Sequence, residues 1–212
     1  MHPRPVIVVV AAGRGSRFEA SPSAPHKLLA VLDGATVLDR TLRHAVASHL
    51  PVVVVTTARL VDAAAGVVAL RDIVVVPDAP SDAGLRPELG MGYSIAAGVA
   101  ARGDASGWLI LPADLPLVRP DTLLAVAAAL AEHPIAYAQH RGRRGHPVGF
   151  SAELYSELVA LQGDDGARRI VARYPSQAVS VDDPGALLDV DTADDLAAAR
   201  AALQAVPHPT RV

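Results

Sequence analysis

The stretch Ala11-Ala12-Gly13-Arg14-Gly15-Ser16-Arg17 directly follows the apolar run Val6 to Val10, and Lys27 comes after it. The glycines let the backbone turn sharply and present N–H groups with no side chain in the way. Arg14, Arg17 and Lys27 add cations beside that turn. Backbone donors together with mobile cations suit a triphosphate. The spacing is neither G-x-x-x-x-G-K-[ST] nor G-x-G-x-x-G, so a Walker A loop and a dinucleotide fingerprint are both excluded. A plain strand-to-helix turn is the alternative for the glycines alone, and the added cations favour phosphate.

Carboxylates occur further along. Leu109-Ile110-Leu111-Pro112-Ala113-Asp114 sets one at the end of an apolar run. Asp114 reads either as a turn residue or as a Mg²⁺ ligand, because Mg²⁺ is commonly held by one or two carboxylates plus substrate phosphates and water. Asp191, in Asp189-Val190-Asp191-Thr192, offers the second carboxylate. Asp189 and Asp191 share a face of extended backbone, and either one also reads as a cap of the final helix. Gly90-Met91-Gly92-Tyr93-Ser94 opens a helix whose amides could hold an anion or a base edge, or is an ordinary glycine-rich helix start. His146, in Gly145-His146-Pro147-Val148, follows Arg141, Arg143 and Arg144 and reads as a substrate contact or a structural turn histidine. Arg168, closing Gly163-Asp164-Asp165-Gly166-Ala167-Arg168, reads as a ligand for a phosphate or for an acidic neighbour.

Positioning these groups requires alternating strands and helices. Apolar, β-branched runs predict strands at Val6 to Val10, Val52 to Thr56, Ile73 to Val76 and Trp108 to Leu111, with weaker signals at Ile135 to Ala138, Val148 to Phe150 and Ala178 to Val181. Their continuous hydrophobicity suits a sheet covered on both faces. Helices are predicted over Thr36 to Ser48, Leu60 to Ala69, Ser94 to Ala101, Asp121 to His133, Ala152 to Leu161, Ala167 to Arg173 and Ala193 to Ala205. Thr192 to Asp195 reads as a capping box and Pro120-Asp121 as a helix start. The alternation implies an α/β fold with a mostly parallel sheet and helices on both faces. Ligands then gather outside the carboxyl ends of the strands, where the candidate residues fall. Pro77 to Gly92 reads as a long substrate-side loop and Gln139 to Gly145 as a basic turn. Residues 3–206 read as one domain and 207–212 as a disordered tail.

The chain has 212 residues, 51% of them hydrophobic but only 3% aromatic, so the core must be built from Val, Leu, Ile and Ala. With a net charge of −3 and no basic stripe, a nucleic-acid or anionic-membrane surface is excluded. The absence of cysteine excludes disulfides, thiolate metal sites and cysteine nucleophiles. No apolar run reaches the roughly 18 residues of a membrane span. The first strand begins too early to leave room for a signal peptide, so a cytoplasmic location is expected.

These motifs occur in an order that resembles the nucleotidyltransferases that mature the molybdenum cofactor, with the cytidylyltransferase branch the nearest. The resemblance runs from Val6 to Leu203, and its His-Pro and Gly-Asp-x-Gly-Ala-Arg segments are the more specific ones. It implies a Rossmann-like nucleotidyltransferase fold and transfer of CMP from CTP to the terminal phosphate of a molybdopterin-type acceptor, with Mg²⁺ and release of pyrophosphate. A molybdenum oxidoreductase is the implied partner. By that resemblance Ala11, Ala12, Gly13, Arg14, Gly15 and Ser16 hold the nucleotide with Gly90, Gly92 and Ser94. Arg17, Lys27 and Asp114 are catalytic, Asp114 and Asp191 hold Mg²⁺, and His146 and Arg168 face the acceptor. The guanylyltransferase branch typically carries glycine where this chain has Ala12, which points to cytosine. Phe18 replaces a usual methionine, and the stretch from Arg17 to Lys27 has a length closer to that of sugar nucleotidyltransferases. A sugar- or polyol-phosphate nucleotidylyltransferase and a non-catalytic cofactor chaperone are therefore the rival readings.

Overall fold

A continuous apolar strand needs cover on both faces, and β1 (Val6–Ala11) is buried at every position. The computed structural model describes residues 3–13, 26–78 and 90–205. Arg14, Gly15, Ser16 and Arg17, and the tail at 207–212, lie outside these. After β1 the described chain runs through a 3-10 turn at Lys27–Leu29, β2 (Val31–Leu32), β3 (Ala35–Thr36), α1 (Val37–Ala47), β4 (Val52–Thr56), α2 (Val61–Ala65) and β5 (Ile73–Val75). It continues with α3 (Met91–Ala100), β6 (Gly107–Pro112), α4 (Pro120–Ala129), β7 (Ile135–His140) and β8 (Arg143–Ser151). The last elements are α5 (Tyr155–Val159), α6 (Arg168–Arg173), β9 (Ser176–Ser180) and α7 (Ala193–Ala205).

Seven strands form one sheet in the order β5-β4-β1-β6-β8-β7-β9. The β1–β4, β1–β6, β4–β5 and β7–β9 pairs are parallel, and β8 alone runs against both neighbours. Along β1, Val6, Val8 and Val10 join one core with Ile95 and Val99 of α3, Leu158 of α5 and Ile170 of α6. Ile7, Val9 and Ala11 join the opposite core with Leu38 and Leu42 of α1, Leu123 and Val126 of α4, and Leu196 of α7. The period-two alternation of side chains thus feeds two helical layers. Each fully buried Val or Leu contributes about 1.5–3 kcal/mol from leaving water. Helix α7 spans the predicted Ala193–Ala205. Its start is a reciprocal cap: the Asp195 amide donates to Thr192 Oγ1 at 3.2 Å and the Thr192 amide to Asp195 Oδ2 at 2.8 Å.

Several expectations change: α3 starts at Met91 rather than Ser94, and α4 ends at Ala129 rather than His133. Helix α2 ends at Ala65, with Gly66 as its cap, rather than reaching Ala69. The basic segment Gln139 to Gly145 is not a turn throughout. Gln139 and His140 belong to β7 and Arg143 to Gly145 to β8, leaving only Arg141-Gly142 as a tight turn with φ of 49° and 78°. Those positive values are the signature of a two-residue hairpin loop matched to strand twist. The short β2–β3 hairpin was not anticipated, although its Asp33-Gly34 loop, with φ of 50° and 80°, has the sequence such loops favour. No helix among the described residues is long and apolar enough to cross a membrane.

Candidate active site

Lys27 occupies the centre of the carboxyl edge of the sheet. Its Nζ donates to Asp114 Oδ2 at 2.6 Å and to Asp191 Oδ1 at 2.5 Å, joining residues 87 and 164 positions apart in sequence. The lysine side chain is only 11% exposed. It is therefore a fixed counter-charge rather than the mobile cation expected from its place beside the loop. Burial lowers its pKa, but the Asp114 and Asp191 carboxylates together outweigh that and hold it above the ordinary lysine value. The ammonium is charged throughout the physiological range.

Each member is held by its own element. Ala113, just past β6, donates its amide to Val10 O of β1 at 3.0 Å, and its carbonyl accepts from the Thr41 hydroxyl of α1 at 2.8 Å. Asp114 in turn accepts at its backbone carbonyl from the Val190 amide at 2.9 Å, which brings the Asp191 segment against the β6 turn. The Asp114 and Asp191 readings of the sequence thus converge at one point. Lys27 opens the 3-10 turn, with His26 as its cap. The Leu28 amide donates to His26 Nδ1 at 3.2 Å, and His26 Nε2 lies 3.0 Å from Gly13 O. A carbonyl only accepts, so the proton sits on Nε2 and the lone pair on Nδ1. His26 clamps Gly13 to the lysine turn. Sequence reasoning passed it over, though its place immediately before Lys27 was a usable signal.

Asp183 was likewise missed. It is 2% exposed, and its carboxylate accepts from the Arg119 amide (2.8 Å), the Thr122 hydroxyl (2.6 Å) and the Gly185 amide (3.0 Å). It therefore caps α4 from a distant segment and anchors the chain that delivers Asp191. The other predicted positions fall around the same edge. Ala11 is the last residue of β1, and Ala12 follows it, packed against the α3-side core. Gly90 and Gly92 begin α3, but a Cβ on Gly90 would lie 2.6 Å from Gly163 O, and one on Gly92 would lie 2.6 Å from Gln162 O. The Gly92 amide is already bonded to Gly163 O at 2.8 Å. These glycines therefore admit the 162–164 segment, and the Gly92 N–H is not open to a ligand. Ser94 is buried, its hydroxyl donating to Gly90 O. Arg168 is exposed at the first position of α6.

His146 stands on β8 beside the end of β6. Burial lowers its pKa; Asp114 and Asp189 pull it up, Arg144 pushes it down, and the Ile110 backbone raises it, with burial prevailing. The imidazole is neutral near pH 7. Two buried atoms here, Asp114 Oδ1 and His146 Nδ1, have no hydrogen-bond partner among the described residues. Buried polar atoms are normally satisfied, and a carboxylate oxygen left open beside a second carboxylate suits a divalent cation. Among the described residues no three His, Cys, Asp or Glu side chains gather as a metal centre, so such a cation would take its remaining ligands from phosphate and water.

This cluster of an ammonium and two carboxylates lies at the carboxyl edge of a mostly parallel sheet, the edge where α/β folds gather their ligands. The chain belongs to the MobA-like NTP transferase domain family, whose sequence profile matches residues 7–179. It is similar to the purine catabolism protein PucB of Bacillus subtilis (strain 168), 35% identical over 121 residues covering 55% of this chain and 58% of that protein. It is also 35% identical over 122 residues to a phosphoenolpyruvate guanylyltransferase of Mycolicibacterium gilvum (strain PYR-GCK), covering 57% of this chain and 54% of that one. The chain thus matches little more than half the length of these relatives. Among solved structures, Rv0371c of Mycobacterium tuberculosis H37Rv superposes with a TM-score of 0.78 at 28% identity, over 95% of this chain and 99% of that one. A complex of Rv0371c with manganese superposes with a TM-score of 0.72 at 28% identity, over 96% and 100%.

Proposed function

We propose that this chain transfers CMP from CTP to the terminal phosphate of a molybdopterin-type cofactor and releases pyrophosphate. The observation that carries the reading is the Lys27 ammonium fixed between Asp114 and Asp191, beside the end of β1 where the glycine-bearing loop begins. An acceptor phosphate oxygen attacks the α-phosphorus in line. The new P–O bond forms as the bond to the bridging oxygen of pyrophosphate breaks, and the electron pair leaves with pyrophosphate. No covalent enzyme intermediate is needed. The chain positions the reactants and offsets the charge that accumulates on the phosphate oxygens. Lys27 meets the triphosphate, with Arg14 and Arg17 of the loop as further cations. Asp114 and Asp191 would hold a divalent cation, Mg²⁺ in this reading, which when bound supplies further charge neutralisation. His146 and Arg168 border the acceptor side. A molybdenum oxidoreductase would receive the product.

Ala12 supports cytosine, because the guanylyltransferase branch typically carries glycine at this position and a methyl there would crowd a larger purine. The 35% identical guanylyltransferase supports GTP as the second reading. Pyrophosphate release, measured with each of the four ribonucleoside triphosphates and Mg²⁺ against a molybdopterin-type cofactor, a sugar phosphate and phosphoenolpyruvate, separates the readings. CTP with the cofactor should be turned over fastest, and Ala12→Gly should relax base discrimination by about tenfold, the scale of one methyl group in a pocket. Preference for GTP in the wild type overturns the cytosine assignment. Cofactor binding without turnover of any nucleotide would mark a delivery protein instead.

A further inference from the structure

Six arginines of the described residues pair with carboxylates: Arg40, Arg43, Arg102, Arg119, Arg169 and Arg173. The densest basic cluster does not. Arg141, Arg143 and Arg144 lie exposed at the tip of the β7–β8 hairpin, and none lies within ion-pair distance of a carboxylate among the described residues. Arg143 and Arg144 are successive strand residues on opposite faces of the hairpin, and cations around one tip make a local positive field that attracts an anion.

The fold aims this tip at the active site. β7 and β6 both run against β8, so the hairpin projects from the same carboxyl edge that carries Asp114. Between the pairs Tyr137–Val148 and Gln139–Arg144 the ladder is irregular, and Gly145-His146-Pro147 oppose Ala138 alone. Extra residues of this kind bend a strand and re-aim its side chains. Arg144 is turned back so that its guanidinium carbon lies 4.2 Å from the centre of the Tyr137 ring, which orients the guanidinium plane while leaving its N–H edges available. Arg144 lies two residues before His146 and four before Val148, which pairs with Ile110 near the end of β6, the strand that leads into Asp114. The turn also keeps a cation where its backbone would prefer another residue. Arg141 has φ of 49°, a conformation that Asn or Gly takes more readily.

We propose that Arg144, backed by Tyr137 and supported by Arg141 and Arg143, forms an anion-binding lip that receives the phosphate or carboxylate group of the acceptor and so selects anionic acceptors. The inference rests on the nucleotidyl-transfer reading of the site but not on the identity of the base or of the acceptor. A forked guanidinium on a rigid aromatic platform matches a planar carboxylate or a phosphate face through two parallel hydrogen bonds.

The test uses Arg144→Gln and Arg141→Asn in the full chain. The second substitution suits the turn and should leave unfolding temperature equal or higher, so a kinetic effect there cannot come from misfolding. With whichever acceptor the wild type uses, Arg144→Gln should raise the acceptor KM about tenfold or more, as expected for loss of a charge-assisted hydrogen bond. Arg141→Asn should raise it less, and kcat and nucleotide affinity should stay near wild type. If the acceptor is phosphoenolpyruvate or a sugar phosphate rather than a molybdopterin-type cofactor, the same KM pattern supports the lip while the acceptor reading fails. If no acceptor is turned over, inorganic phosphate is titrated while the Arg144 Nε–H resonance is followed. A saturable shift, diminished in Arg141→Asn, supports the lip, and no shift overturns it. An unchanged acceptor KM in both variants also overturns it.

Discussion

Replacing Lys27 by Met removes the ammonium from between two carboxylates while keeping a side chain of similar length. In the native protein the Asp114 and Asp191 oxygens lie 2.6 and 2.5 Å from one nitrogen. Those oxygens are then no more than about 5 Å apart, where two like charges at an effective dielectric of about 20 repel by about 3 kcal/mol. The variant therefore carries repulsion on the order of 3 kcal/mol in the native geometry, which the side chains reduce by rotating apart or taking up a proton. For a chain of this size that corresponds to a loss of about 6–12 °C in unfolding temperature. A divalent cation should reverse the loss, since it replaces the missing charge. Calorimetric unfolding in chelator, then in Mn²⁺, measures the first effect. Titration calorimetry with Mn²⁺ alone measures the second, and binding should be tighter in Lys27→Met than in the wild type by up to about a hundredfold. Pyrophosphate release should nevertheless be nearly abolished, because the triphosphate loses its cation. Equal stability in chelator with equal Mn²⁺ affinity in both proteins would refute the idea that Lys27 serves as the internal counter-charge of the carboxylate pair.

Asp114→Asn and Asp191→Asn should each nearly abolish pyrophosphate release with folding retained, and excess Mg²⁺ or Mn²⁺ should restore only part of it. The double variant should be little worse than either single one in the same assay, since the two carboxylates act as a unit. Gly92→Ala should destabilise the fold by about 1–3 kcal/mol in denaturant titration, because its new methyl meets the Gln162 carbonyl at 2.6 Å, a backbone atom that cannot rotate away. Acid should destabilise the protein through its histidines. His44, like His146, has its pKa lowered chiefly by burial, against the Val118 carbonyl that its ring contacts. The folded form therefore favours neutral rings. Their contribution is complete above the ordinary histidine value of about 6.5 and is lost as pH falls through the lowered native values. Unfolding midpoints from pH 8 down to 5 (a range of about the usual histidine window) should fall, and more gently in His44→Asn.

The α/β class was legible from local pattern. Runs such as Val6 to Val10 and Val52 to Thr56 are uniformly apolar because both faces of a central strand are covered, and their shortness and β-branched content set them apart from buried helices. The boundaries of α7 were legible too, because its capping box lies within four consecutive residues. Strand β8 was not. Only Val148 to Phe150 looked like strand, since Arg143 to Pro147 contain no β-branched residue. Pairing with β6 and β7 decided its length, and such pairing depends on partners remote in the chain.

The candidate site divides along the same line. Residue type and motif order alone singled out Lys27, Asp114 and Asp191, because paired carboxylates and a cation beside a glycine-bearing turn are chemically distinctive wherever they fall. That the lysine is the buried bridge between the two acids, that His26 and Asp183 hold the bridge in place, and that Gly90 and Gly92 make room for the Gln162 to Asp164 segment were decided by tertiary structure. Each depends on a distance between residues far apart in sequence, and a chain of letters carries composition and local periodicity but no such distances until packing sets them.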